Sequence, residues 1–216
     1  MTAITVASSE FEDTVILSSS PTTNYVNTTL LTFGKSGGTL NHMIVQLDLA
    51  KRPRFIPYLG SETGYVGENG YTKESAFSTR TGIFVNEGLG FISQIDPSFD
   101  LQDLGAVTYN KVTASPNVDW TTAGALDDVV DEPAINFTFN QTSANQDFDL
   151  PFSGRLTRRA MFGKINIIYH NNSANDILAL YSSQETGSTP AEVILRGRYA
   201  TRNRENGVRS RKYAVR

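Results

Sequence analysis

The chain holds two histidines, His42 and His170, and no cysteine. Thiolate nucleophiles, disulfides and thiolate metal sites are therefore excluded, and any acid–base or nucleophilic chemistry rests on imidazoles, carboxylates and hydroxyls. Neither histidine stands in a Ser-His-Asp or H-E-x-x-H pattern. His42 lies beside a strand start and His170 at a strand end, so both are expected to be structural or surface residues. Carboxylates cluster at Asp127-Asp128 and Asp131-Glu132, and Asp147 and Asp149 fall at strand spacing on one face. A glycosidase needs two carboxyls about 5 to 10 Å apart across a sugar, one of them in an apolar pocket. No His or Tyr base accompanies these pairs, so a lyase or hydrolase is the weakest reading and the chain is expected not to be an enzyme. Without EF-hand spacing, the acidic segment is expected to be an exposed turn, with Ca²⁺ ligation as the alternative. No other cofactor or metal is expected.

Binding chemistry has more to work with. Trp120, the one tryptophan, lies in Asp119-Trp120-Thr121-Thr122-Ala123-Gly124. An exposed ring there suits a pyranose stack, whereas a buried one closes an end of the core, and burial is the commoner fate of Trp. Tyr65 and Tyr71, on a glycine-rich stretch, are further candidates for a partner or, for Tyr71, a glycan. The net charge of −3 hides a strong asymmetry. From Thr201 onward Arg202, Arg204, Arg209, Arg211, Lys212 and Arg216 face a single Glu205, giving that tail +5 and leaving −8 for the rest. Such a tail suits docking on an acidic partner surface. Basic runs also bind phosphates, yet no recognition-helix or RRM pattern is present, so specific nucleic-acid reading is not expected.

These residues must be positioned by strands. At 216 residues, 39% hydrophobic and 19% charged, the chain suits one β domain with decorated loops. The opening, 13–50, carries three β-type runs (Asp13 to Leu17, Thr28 to Phe33, Met43 to Leu49) separated by polar turns. Further strands are expected at Thr81 to Val85, Phe91 to Ile95, Ala106 to Tyr109, Ile135 to Phe139, Phe148 to Phe152, Lys164 to Tyr169, Ile177 to Tyr181 and Glu192 to Tyr199. Short, turn-punctuated spacing predicts an all-β, antiparallel β-sandwich, jelly-roll-like, with long loops rather than a βαβ fold. One short helix is expected over Ser153 to Phe162, with Ser153 as N-cap. Residues 60–78 read as a long loop insertion. The expected organisation is a single domain over 1–200 and a basic anchoring tail over 201–216. No export signal, apolar span of about 18 residues or internal repeat is visible.

Several blocks resemble one family. Asp13-Thr14-Val15, Pro21-Thr22-Thr23-Asn24-Tyr25, Leu31-Thr32-Phe33-Gly34 and Gln46-Leu47-Asp48-Leu49-Ala50 are similar to the opening of DNRLRE / carbohydrate-binding-module 96 β-sandwich domains. Val26 stands where a Gly is usual, and Gln46 where an aromatic is usual. Val107 to Lys111 followed by Trp120 to Gly124 resembles a second block of the phage members. Tyr181 to Glu185 with Pro190 to Tyr199 resembles the closing strand pair. The resemblance implies a virion or carbohydrate-related setting. The resulting expectation is a non-enzymatic structural protein of a tailed-phage virion, a capsid decoration or cement protein on the major capsid protein or another virion protein. It would be assembled in the host cytoplasm without a membrane, with a homo-oligomer, guessed as a trimer, taken from capsid symmetry. The alternative is a tail- or neck-associated carbohydrate-binding adhesion module that uses Trp120 and Tyr71 on a host glycan.

Overall fold

A computed structural model describes residues 2–6, 10–48, 55–57, 76–84, 88–99, 101, 104–113, 118–130, 135–139, 146–151, 159–160, 163–171, 177–183, 192–197 and 199–201. In chain order the strands are β1 (Thr2–Val6), β2 (Phe11–Leu17), β3 (Leu30–Ser36), β4 (Thr39–Asp48), β5 (Phe55–Pro57), β6 (Ala76–Phe84) and β7 (Gly88–Gln94). They continue as β8 (Lys111–Thr113), β9 (Val118–Asp119), β10 (Ile135–Phe139), β11 (Gln146–Pro151), β12 (Lys164–His170), β13 (Ile177–Ser182), β14 (Glu192–Gly197) and β15 (Tyr199–Thr201). The fold is all-β, and each strand pairing is antiparallel.

One ladder runs β1-β14-β6-β13-β3-β4-β12-β7-β10, with β11 also on β6 and β2 also on β4. Two strands turn this network. β3 and β4 form a hairpin closed by Gly37-Gly38, both at positive φ (55° and 83°), the two-residue turn whose twist matches flanking strands and which only glycine-like residues adopt readily. The hairpin is brief: Ser36, Lys35 and Gly34 pair with Thr39, Leu40 and Asn41, after which β12 takes over the same edge of β4 from Met43 to Asp48. β3 leaves at Gly34 and continues its ladder with β13. On β6, two residues, Arg80 and Thr81, lie opposite the single Asp147 of β11. Such a bulge bends a strand, and β6 changes partner across it, from β14 at 76–78 to β13 at 82–84.

The ribbon β2-β4-β12-β7 is buried on both faces. Side chains alternate across a strand, so the registers fix two sets of rows. One face carries Val15, Met43, Tyr169 and Ile92 in one row and Asp13, Val45, Ile167 and Gln94 in the next. Phe33 of β3 packs over it, 6.3 Å from the Tyr169 ring. The other face carries Thr14, Ile44, Ile168 and Ser93, then Glu12, Gln46 and Asn166. Carried one position past the Tyr169↔Met43 pair, the same register sets His170 opposite His42, with Ile16 and Phe91 flanking them.

This second face is roofed by the connection from β7 to β10, here called the cap (residues 96–130). Leu101, Leu104, Val107, Val112, Trp120 and Ala125 of the cap form one buried cluster with Ile16, Ile44, Ile95 and Ile168 of the ribbon. The cap returns to where it starts, since Asp96 N–H donates to Asp128 O (2.8 Å), Val130 N–H to Gln94 O (2.9 Å), and Ile95 bridges Val129.

Several sequence expectations are corrected. Ala106 to Tyr109 is not a strand. Leu104–Ala106 form a 3-10 turn, and the Leu104 and Val107 carbonyls are taken by the side-chain amide of Asn24 instead of a neighbouring strand. The expected strand Glu192 to Tyr199 is divided between two ladders, Glu192–Gly197 on β1 and β6 and Tyr199–Thr201 on β5, with 198 outside the described residues. Residues 76–78 of the expected 60–78 loop belong to β6, while 60–75 lie outside the described residues. Of the expected helix, Arg159 and Ala160 are helical, and 153–158 and 161–162 lie outside the described residues.

Candidate functional site: a histidine pair beneath the cap

The register across β4 and β12 brings the two histidines together. Their ring centroids are 6.2 Å apart in an edge-on arrangement, and they are buried, 1% and 6% exposed. Both are structural residues of the interior, and His42 lies within β4 rather than beside its start. His42 Nδ1 lies 2.8 Å from Gly124 O. A carbonyl only accepts, so Nδ1 carries the proton and donates, which leaves Nε2 as a bare lone pair. That atom is buried and has no hydrogen-bond partner among the described residues. Burial disfavours the charged ring more than the Gly124 bond favours it, and His170 adds a like-charge contribution, so the His42 pKa is lowered to about 4.

The surroundings are aromatic. Tyr109 lies 5.9 Å from His42, and Phe91 stacks on His170 at 5.6 Å and 16°. Burial pushes the Tyr109 hydroxyl above its ordinary range. Gly124 is held at φ 95°, and a Cβ there would meet Tyr109 ring atoms at 3.0 Å. Only glycine fits both the conformation and the space. Ser93 Oγ is 3.5 Å from His170 Nε2, the outer limit of a hydrogen bond. With Ser93 9% exposed, this contact is an internal one rather than a nucleophile facing substrate.

Among the described residues three side chains fasten the cap, each donating to a main-chain carbonyl. Asn24, in the turn after β2, donates to Leu104 O (2.7 Å) and Val107 O (2.6 Å) while its Oδ1 accepts from Val26 N (3.0 Å). Gln46 donates to Leu101 O (2.5 Å) and to Asn166 Oδ1 (2.9 Å). His42 supplies the third bond, and of the three it alone carries an ionisable side chain. Gln46 is the residue standing where an aromatic is usual in the resemblance, and here a polar donor at that position reaches the cap.

Trp120 is 5% exposed. Its indole N–H donates to Thr108 O at 3.0 Å, and its ring packs 5.6 Å from Phe99. The ring closes the core and presents no open face for a sugar. Asp127 is exposed, whereas Asp128 is buried and its Oδ2 accepts from Thr121 N at 2.9 Å. Asp128 thus braces the turn that presents Gly124. Asp147 and Asp149 lie on β11, and Asp131 and Glu132 lie outside the described residues. So do Tyr65, Tyr71, Arg202, Arg204, Arg209, Arg211, Lys212 and Arg216. Among the described residues no group of three or more His, Asp or Glu is arranged to hold a metal ion, and no helix is long and apolar enough to cross a membrane.

The blocks that carry the resemblance meet in space. Asn110 N–H donates to Pro21 O (3.1 Å), and Ser183 donates to Thr29 O through its N–H (3.2 Å) and to Thr28 O through its Oγ (2.5 Å). Segment 18–30 is therefore the common seat of residues that are far apart in the chain. No protein-family model matches the chain, and no curated protein matches it at a significant level.

Proposed function

We propose that this chain is a non-enzymatic structural protein of a tailed-phage virion, a capsid decoration or cement protein whose body folds as a two-layer, jelly-roll-like sandwich. The observation that carries the reading is charge segregation: +5 after Tyr199 against −8 over the preceding body. A cationic tail of this kind anchors to an acidic neighbouring surface, the major capsid protein or another virion protein. The internal use of polar groups supports the same reading. His42, His170, Asp128 and Trp120 all point into the fold, as suits a scaffold more than a catalyst. A homo-oligomer follows from the symmetry of such particles. For a glycan-binding role Trp120 is already occupied, which leaves Tyr71 to carry it.

The test is to purify particles of the encoding phage and quantify this protein in them by mass spectrometry, before and after a high-salt wash. Screening shrinks the Debye length to about 3 Å at 1 M salt. The protein should be present in regular copy number and should be released by salt. Its absence from particles, or retention regardless of salt, overturns the proposal.

A further inference from the structure

We propose that the His42–Gly124 contact is an acid-released latch: protonation of His42 frees the cap from the β-ribbon while the strand ladders stay intact. This inference does not depend on the virion reading.

The groups that face His42 come from three directions. β2 contributes Ile16. β12 contributes His170, with Phe91 and Ser93 of β7 behind it. The cap contributes Tyr109 and the Gly124 carbonyl. Of these, His170 and Tyr109 titrate. The charge that acts on His42 is that of His170, of the same sign, and it opposes protonation. The neutral ring suits this setting, because Nδ1–H has its acceptor. The cation does not, since its new N–H at Nε2 would be buried with no acceptor among the described residues, and buried unpaired charge is strongly disfavoured. Opening the cap hydrates the ring and restores its ordinary basicity, so acid pulls the equilibrium toward the open form.

The response is local because of what else holds the two parts. Within the ribbon, β4 is bonded to β2 and β12 over six or more residue pairs each, and none of those bonds titrates. Among the described residues the cap is held by the apolar cluster, by a few side-chain donors and by two main-chain bonds, Val130 N–H to Gln94 O at its base and Asn110 N–H to Pro21 O. Opening uncovers Ile16, Ile44 and Ile168.

Trp120, the one tryptophan, lies in the cap and reports on it directly. Full-length protein is titrated from pH 8 downward while Trp120 emission and far-UV circular dichroism are recorded together. Emission should move to the red between pH 6.5 and about 4 with the far-UV signal unchanged. Over the same window, amide exchange in 104–130, corrected for intrinsic rates, should accelerate relative to β4 and β12 by up to about 300-fold, the ratio set by the displacement of the His42 pKa. His42→Asn keeps a donor for Gly124 O but does not titrate, and it should lack the emission change. If this variant does not fold, the exchange comparison on the wild type decides alone. Emission that stays fixed to below pH 4, that moves only with the far-UV signal, or that is abolished by His170→Asn but not by His42→Asn overturns the latch.

Discussion

Replacing Asn24 tests how the cap is held. This half-buried side chain makes three hydrogen bonds, donating to Leu104 O and Val107 O at 2.7 and 2.6 Å and accepting from Val26 N at 3.0 Å. A net bond contributes about 0.5 to 1.5 kcal/mol, and a buried acceptor that loses its donor sits at the upper end. Leu104 and Val107 are fully buried; Leu104 O keeps the Val107 N–H (3.1 Å) while Val107 O loses its side-chain donor, so Asn24→Ala should cost about 2 to 3 kcal/mol. Asn24→Asp keeps the shape and the bond from Val26. It sets a carboxylate oxygen against two carbonyl oxygens, however, and should cost about 4 kcal/mol or more at pH 7. The sign of its pH dependence follows. The fold disfavours the charged form, so the introduced carboxyl has a folded-state pKa above its unfolded value. Relative stability is therefore present below the unfolded value and is lost as pH rises through the folded one. The Asp variant should recover part of its deficit between pH 7 and pH 5, while the Ala variant shows no such recovery relative to wild type. Urea titrations followed by Trp120 emission and by far-UV circular dichroism measure both. A cost for Asn24→Ala under about 0.5 kcal/mol, or an Asp variant milder than the Ala variant at pH 7, refutes this role of Asn24.

Other positions give sharper or deliberately flat outcomes. Trp120→Phe keeps an aromatic ring but drops the bond to Thr108 O and should cost about 1 to 3 kcal/mol in urea titration, read by far-UV circular dichroism because the fluorophore is gone. Gly124→Ala meets Tyr109 at 3.0 Å and must hold φ 95°. It should destabilise by about 2 to 4 kcal/mol, visible as a lowered thermal midpoint. Lys111 and Asp119 pair at 3.3 Å with side chains 33% and 67% exposed. Asp119→Ala should therefore change the urea midpoint by less than about 0.5 kcal/mol in stability.

The strands were legible where alternation was uninterrupted. Ile135–Phe139 reads apolar and polar in turn and forms β10 over those residues. Lys164 to Tyr169 reads as a strand that begins alternating and then continues apolar through Ile168-Tyr169, and the structure extends it to His170 and buries it on both faces from Ile165 onward. β6 was obscured because its polar Ser78 to Arg80 stretch looks like loop and its bulge breaks the period. β5 ends in Pro57, which counts against a strand, and it is built on three pairs with β15. The cap misled in a different way. Val107 and Tyr109 mimic alternation, but the Leu104 and Val107 carbonyls accept from Asn24, 80 and 83 residues away, and no local pattern encodes that. The histidine pair is likewise a product of register between β4 and β12. The buried end of Trp120 was foreseeable from its size, whereas the side chains it packs against were not.

The proposed virion role rests on the cationic tail, and stability rests on the body. Its most direct test compares full-length protein with a chain ending at Thr201 for binding to particles that lack the protein, by co-sedimentation at rising salt. The body should keep its Trp120 emission and thermal midpoint without the tail, while particle binding is lost and the full-length protein binds in a salt-sensitive manner. A truncated chain that is folded and still binds particles as the full-length protein does would contradict the account.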